Sequence, residues 1–115
     1  MNPLYRDKIS VYTHKKIFDS KSYTTKAGYV LTLEDIKCDM QPYSSEKFEK
    51  QYGYKVDTTK RLFVDIYDEI KEDSIIKYNG AYYKVQKIIL WDKILKHLEV
   101  ALIETNTEIK VIEDE

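Results

Sequence analysis

The chain has 115 residues, the size of one ordinary domain, and that length leaves no room for a second hydrophobic core. Its 43% hydrophobic and 34% charged side chains describe a folded domain, and 19 basic against 20 acidic residues, a formal charge of −1, exclude adhesion of the whole surface to nucleic acid or anionic lipid. No run of apolar side chains exceeds four residues, as in Ile88 to Trp91, far below the roughly 20 that span a bilayer. The charged start at Arg6, Asp7 and Lys8 has no apolar region behind it, so neither a membrane helix nor a secretory leader is expected. A single cysteine, Cys38, cannot close an internal disulfide, and a reducing compartment is the simple expectation.

Composition favours strands. Val, Ile, Thr, Tyr, Phe and Trp make up 43 of the 115 residues, whereas alanine, the best helix former, occurs three times. Most of the 11 tyrosines are read as sheet residues, with the ring packed on a pleated surface and the hydroxyl in water.

In chain order, the first strand is predicted from about Lys8 to Phe18, with Ile9, Val11 and Thr13 on one face and Ser10, Tyr12 and His14 on the other. Asp19 to Lys26 is polar and rich in hydroxyls, a hairpin tip ending near Gly28. Alternation returns as Tyr29, Leu31 and Leu33, breaks at Glu34-Asp35, and resumes as Ile36, Cys38 and Met40. The inward face therefore changes parity, which predicts one inserted residue, a β-bulge. Pro42 closes this strand.

A short helix is predicted from Ser44 or Ser45 to Tyr52: a serine cap, Glu46 in the first turn and Gly53 at the C′ position agree. Tyr54 to Lys60 reads as a polar connection. Residues 42–60 thus form a long excursion between two strands, beyond the roughly 2–5 residues of an ordinary hairpin loop, and long excursions tend to be functional. Its charge is nearly balanced, and only Phe48 and Tyr52 within it are expected to need burial.

Arg61 to Tyr67 alternates cleanly, with Leu62, Val64 and Ile66 facing one way. An acidic turn, Asp68 to Asp73, follows. Ser74 to Tyr78, Asn79-Gly80 and Ala81 to Leu90 spell a β-hairpin, since Asn-Gly is the preferred pair of a two-residue type I′ turn. A last strand carries Leu98, Val100 and Leu102 to about Glu104. In the tail, Ile109, Val111 and Ile112 could add an edge strand, and Glu113-Asp114-Glu115 should fray.

The fold class is therefore mainly β: a small antiparallel β-barrel or rolled sheet of five or six strands with one short helix inserted between strands 2 and 3. It forms a single domain over residues 1–115, with an N-terminal arm at 1–7, the barrel at 8–104 and a tail at 105–115. The expected core is Leu31, Leu33, Leu62, Val64, Ile66, Val85, Val100 and Leu102.

No catalytic, cofactor or metal constellation is written in the chain. His14 and His97 are the only imidazoles, and neither has a histidine or cysteine within four residues. Asp57, Asp65, Asp68 and Asp73 do not form an Asp-x-Asp-x-Asp-Gly loop, and no glycine-rich phosphate loop exists. A Cys38–His14 dyad can be drawn, but Cys38 stands in an apolar register and reads as a small core residue.

Charge is unevenly divided: residues 1–60 carry 11 basic and 8 acidic side chains, and residues 61–115 carry 8 and 12. Such polarity suits head-to-tail packing of identical subunits, although exposed charge contributes little on its own.

Taken in order, the features are a short arm, a strand with Ser10-Val11-Tyr12, and a long strand through Ile36-Lys37-Cys38. A polar-helical excursion ends Gln51-Tyr52-Gly53. The acidic turn, Ile75 to Val85 with its Tyr-Asn-Gly-x-Tyr-Tyr-x-Val hairpin, and a last strand from His97 to Leu102 complete the series. This arrangement, over about residues 4 to 104, resembles the head-closure or stopper proteins of tailed bacteriophages, also called head–tail joining connectors.

The resemblance implies a structural virion protein, not an enzyme, without cofactor or metal. It is made in the bacterial host cytoplasm and forms a ring with copies of itself under the portal, at the virion head–tail interface. Its partners are then the portal or adaptor and the tail proteins, with packaged double-stranded DNA met in the channel only and no membrane. The family's channel-facing loop falls on residues 42–60, so Ser44, Ser45, Glu46, Lys47, Glu49, Lys50, Tyr54 and Lys55 are the candidate gate. Leu4, Tyr5 and Arg6 of the arm and Asp68, Glu69, Glu72 and Asp73 of the acidic turn are the candidate assembly contacts.

The principal rival is a nucleic-acid-binding barrel of the OB type. Tyr12, Phe63, Tyr67 or Tyr83 would stack bases, and Lys15, Lys16, Lys84 and Lys87 would meet phosphates. A net charge of −1 weighs against it.

Overall fold

The alternating segments become six strands: β1 (Asp7–Asp19), β2 (Thr24–Pro42), β3 (Lys60–Val64), β4 (Ile75–Tyr78), β5 (Ala81–Trp91) and β6 (His97–Thr105). The capped segment becomes α1 (Ser45–Tyr52). In the computed structural model, which describes residues 5–105 and 109–112, these strands close antiparallel into a barrel in the order β1-β2-β3-β6-β5-β4. Closure removes most of the free edges that a six-stranded open sheet would present. No helix among the described residues is long and apolar enough to cross a membrane.

Alternation along closed antiparallel strands assigns the connections to two rims. The β1–β2, β3–β4 and β5–β6 connections lie on one rim, and the excursion before β3 and the Asn79-Gly80 turn lie on the other. At that turn Asn79 and Gly80 have φ of 48° and 78°, the left-handed pair that a type I′ turn demands.

Ile9, Val11, Cys38, Leu62, Val64, Ile76, Val85, Val100 and Leu102 fill the barrel, with Leu33 packed against them. Two expected core residues lie elsewhere. Leu31 is 41% exposed, because β2 holds two inserted residues instead of one. Ile9 faces Ile36 and Val11 faces Leu33, which leaves one extra residue at Glu34-Asp35. Val11 to Tyr12 then spans Leu33 to Leu31, which leaves another at Thr32. The second insertion cancels the parity change of the first, so Val30 points inward and Leu31 outward. Asp35 takes φ of 52°, a conformation that Asp tolerates better than most residues.

Ile66 is 45% exposed, because β3 leaves the ladder after the Cys38–Val64 pair and alternation stops there. Ile70, 4% exposed, enters the core from the β3–β4 connection in its place.

The β1–β2 tip is shorter than the sequence predicts. Thr24, Thr25 and Lys26 pair with Asp19, Phe18 and Ile17, and only residues 20–23 turn. The Asp19 carboxylate accepts from the Lys21 amide and the Ser22 hydroxyl, both at 3.0 Å, and so closes the turn from one side.

Leu62→Ala should lower the free energy of unfolding by about 2–5 kcal/mol through the cavity it leaves. Leu31→Thr, on the exposed side, should change it by about 0.5 kcal/mol or less. Urea unfolding of the two variants checks both the core and the double insertion in β2.

Candidate functional site

The excursion is fastened at both ends by hydrogen bonds that its sequence supplies. Ser44, in extended conformation, accepts from the Lys47 amide at 3.2 Å, and Gly53, with φ of 82°, donates its amide to the Glu49 carbonyl at 2.8 Å. On the return path Thr58 is buried. Its amide donates to the Ser45 hydroxyl at 3.1 Å and its hydroxyl to the Leu102 carbonyl at 2.8 Å. The Tyr43 amide donates to the Thr59 carbonyl at 3.1 Å, so the entering and leaving segments are joined.

Between these fastenings α1 lies against the outer face of the barrel. Phe48, 1% exposed, packs with Tyr43 and Ala101 into a second small core, with Tyr52, Val56 and Ile89 around it. Its ring centroid is 4.7 Å from Tyr52, 5.3 Å from Tyr54 and 6.2 Å from Tyr43. Ala101 is the small residue on β6 that leaves room for this ring. The excursion therefore buries more than expected: Tyr43 and Thr58 are buried along with Phe48, while Tyr52 is half-buried.

Beside the helix, the outward residues of β3, β5 and β6 form a polar-aromatic cluster. The Arg61 guanidinium lies over the Tyr43 ring at 4.4 Å and the Phe63 ring at 5.1 Å, and its Nε donates to Gln41 Oε1 at 3.1 Å. Glu99, 3% exposed, accepts from Trp91 Nε1 at 3.3 Å, and its charge acts on the Tyr52 hydroxyl. His97 stacks on Trp91 at 6.2 Å and meets Phe63 edge-on at 5.8 Å. A buried carboxylate is costly unless such donors surround it. Glu99 reads in the sequence as a solvent-facing residue; the only hint of cover is its neighbour Ala101, too small for an exposed position in a strand rich in branched residues.

Of the candidate gate residues, Ser44, Glu46, Lys47, Glu49, Lys50, Tyr54 and Lys55 are exposed, while Ser45 is partly buried and structural. The helix fixes Glu46, Lys47, Glu49 and Lys50 on its solvent side. The candidate assembly contacts divide between the rims. Leu4 lies outside the described residues, Tyr5 is buried and Arg6 is exposed at the start of the chain. Asp68, Glu69, Glu72 and Asp73 lie on the opposite rim. There Asp73 pairs with Lys84 at 3.3 Å, Glu72 with Lys87 at 3.8 Å, and the Glu69 carbonyl accepts from the Thr13 hydroxyl at 2.8 Å.

Cys38 and His14 do not meet: Cys38 stands opposite Asp7 and Val64, whereas His14 stands opposite Tyr29. Of the residues a nucleic-acid face would need, Tyr83 is buried in the core, and Lys84 and Lys87 sit beside carboxylates that offset their charge.

No family model matches the chain, and no curated protein matches it. Among solved structures, the chain is similar to the solution structure of protein SF1141 from Shigella flexneri 2a, with a TM-score of 0.66 and 21% identity. The alignment covers 94% of this chain and all of that one. At that identity the likeness establishes a shared fold.

Burial pushes the Cys38 thiol up to about 12, with Asp7 and Asp39 adding to it, and burial followed by the Glu99 carboxylate raises Tyr52. Both groups are held protonated in the fold. The stabilisation is therefore complete below their ordinary values of 9.0 and 10.0 and is lost as pH rises toward their folded values. The melting temperature should fall from about pH 9 upward, and Cys38→Val should flatten the first part of that fall. Phe48→Ala should cost about 3–5 kcal/mol in urea unfolding, which measures how firmly the excursion is anchored.

Proposed function

We propose that the protein is a head-closure component of a tailed bacteriophage or prophage, a ring-forming connector that closes the DNA channel under the portal and joins head to tail. The observation that carries this reading is the order of elements along a closed barrel with a single helical insert between β2 and β3. A β-barrel with a long excursion between its second and third strands is the arrangement that the resemblance implies, although the helix inside the excursion departs from the simple extended loop of that family.

The packing of α1 changes how such a gate would be built. A mobile loop would have to be ordered when copies converge, whereas a helix anchored by Phe48 holds Lys47 and Lys50 at set positions before assembly, with Lys55 exposed just past its end. Copies around a channel would then present repeated short-range charges to the DNA backbone without each subunit binding DNA strongly on its own. The uneven charge of the two halves of the chain supports head-to-tail contact between neighbours.

The test is particle assembly with Lys47→Glu/Lys50→Glu/Lys55→Glu. These side chains are exposed, so the melting temperature should stay near that of the parent, while filled heads should lose DNA. Retention equal to the parent's, with the variant incorporated, would overturn the reading of residues 42–60 as the gate.

A further inference from the structure

Beyond the barrel, β1 and β2 continue as a two-stranded ribbon. β4 pairs with β1 only from Ser10 to Tyr12 and β3 pairs with β2 only from Cys38 to Pro42, whereas β1 and β2 stay paired from Thr13–Val30 to Asp19–Thr24, a reach of about 20 Å at the rise of a strand. Residues 20–27 are all exposed, and the molecule measures 50 Å along its longest axis against 30 and 26 Å across. The 109–112 segment braces the base of the ribbon. Tyr29 pairs with Val111 in parallel, the Tyr29 amide donates to the Lys110 carbonyl at 2.7 Å, and the Ile112 amide donates to the Tyr29 carbonyl at 2.8 Å. Gly28 permits the approach, since a Cβ there would lie 2.7 Å from the Lys110 carbonyl oxygen. Being parallel to β2, the segment runs away from the tip of the ribbon.

The ribbon concentrates positive charge that the rest of the chain lacks. Residues 13–30 hold Lys15, Lys16, Lys21 and Lys26 against Asp19, so the ribbon carries +3 and the remainder of the chain −4. The Asp19 carboxylate is turned to the Lys21 amide and the Ser22 hydroxyl of its own turn. Residues directly opposite in an antiparallel pair share a face. Lys16 stands opposite Ala27 on one face, Lys26 stands opposite Ile17 on the other, and Lys21 is in the turn between them. All three are exposed. Guarding an open strand edge against a stray partner explains charge here but not its sign, because acidic side chains serve that purpose too.

We propose that the β1–β2 ribbon is an arm that binds duplex DNA, inserted in the major groove so that the lysines of its two faces meet the two phosphate walls. That groove is about 12 Å wide and admits a two-stranded ribbon, and a sheet with its side chains is about 10 Å thick. A partner charged on both sides is what lysines on both faces fit. A flat anionic surface such as a bilayer would meet one face and leave the lysine of the other in water. Residues 13–30 contain no Arg, Asn or Gln, the side chains that read base edges through paired hydrogen bonds, so the arm grips the backbone without selecting a sequence. Phe18, 62% exposed, and Tyr23, 83% exposed, bring apolar area to the tip, where it rests on the groove floor. The negative remainder of the chain is repelled by the same duplex, which presents the ribbon to it first. The inference goes beyond the head-closure reading and does not rest on it, since the arm is complete in a single chain.

Fluorescence anisotropy of a short labelled DNA duplex tests the arm on the full purified chain. The parent should bind with a Kd of about 1–100 μM at physiological salt, the range of contact that is not sequence-specific. Lys16→Ala/Lys21→Ala/Lys26→Ala should weaken binding by about tenfold or more and flatten the slope of log affinity against log salt by about 3. These side chains are exposed, so an unchanged melting temperature shows that the variant is folded. Lys16→Ala and Lys26→Ala, one on each face, should each cost affinity by a similar factor. Loss from one face alone would overturn the groove placement. Absence of binding by the parent, or a triple variant that binds as tightly as the parent, would overturn the arm. Binding to phosphatidylserine vesicles that depends on the same lysines as strongly as duplex binding does would overturn DNA as the occupant. The lysines of α1 and DNA retention by filled heads are not involved in these measurements, so the two proposals fail separately.

Discussion

Strand β2 has to serve two structures at once, and the two extra residues inside it make this possible. Toward its start it forms a two-stranded ribbon with β1, and at its end it pairs with β3 to close the barrel. A straight strand of 19 residues could not do both, because closure of a small barrel needs tilt and coiling that a flat ribbon lacks. The insertions at Thr32 and Glu34-Asp35 supply the bend. The Thr32 hydroxyl reaches the Val11 carbonyl at 3.2 Å and lies 2.8 Å from the Thr13 hydroxyl, which in turn bonds the Glu69 carbonyl. The bend is thereby tied to the β3–β4 connection, which sends Ile70 into the barrel.

How much of this was legible in the sequence follows from where each side chain's environment is decided. Helix α1 was readable almost to the residue, because a serine cap, an early acid and a left-handed glycine act within a few positions of one another. The Asn79-Gly80 hairpin was readable for the same reason. The break at Glu34-Asp35 showed as a change of parity, but the second insertion at Thr32 left no local mark, since Leu31 and Leu33 alternate as well with it as without it. Ile66 continued a good pattern past the point where its ladder ends, and a pattern cannot register the loss of a partner strand.

The candidate site shows the same division. Residues 42–60 stood out by length, and their helix by its caps, yet what the helix covers was hidden. Glu99 and Ala101 look like the wet side of β6 until an element from 50 residues earlier in the chain is laid over them. Gly28 was read as the end of a hairpin tip. Its role is decided by Lys110 and Ile112, more than 80 residues away, and only contact geometry discloses such a constraint.

The chain holds a single tryptophan, and its surroundings make it a built-in optical probe. Trp91 ends β5, its ring plane lies within 13° of the His97 ring at the start of β6, and its indole N–H donates to the buried Glu99, whose charge acts on Tyr52 of α1. Two consecutive strands and a helix from much earlier in the chain thus share one chromophore's environment. Its emission reports the joint integrity of the β5–β6 pairing and the helix laid across it, without any label being attached.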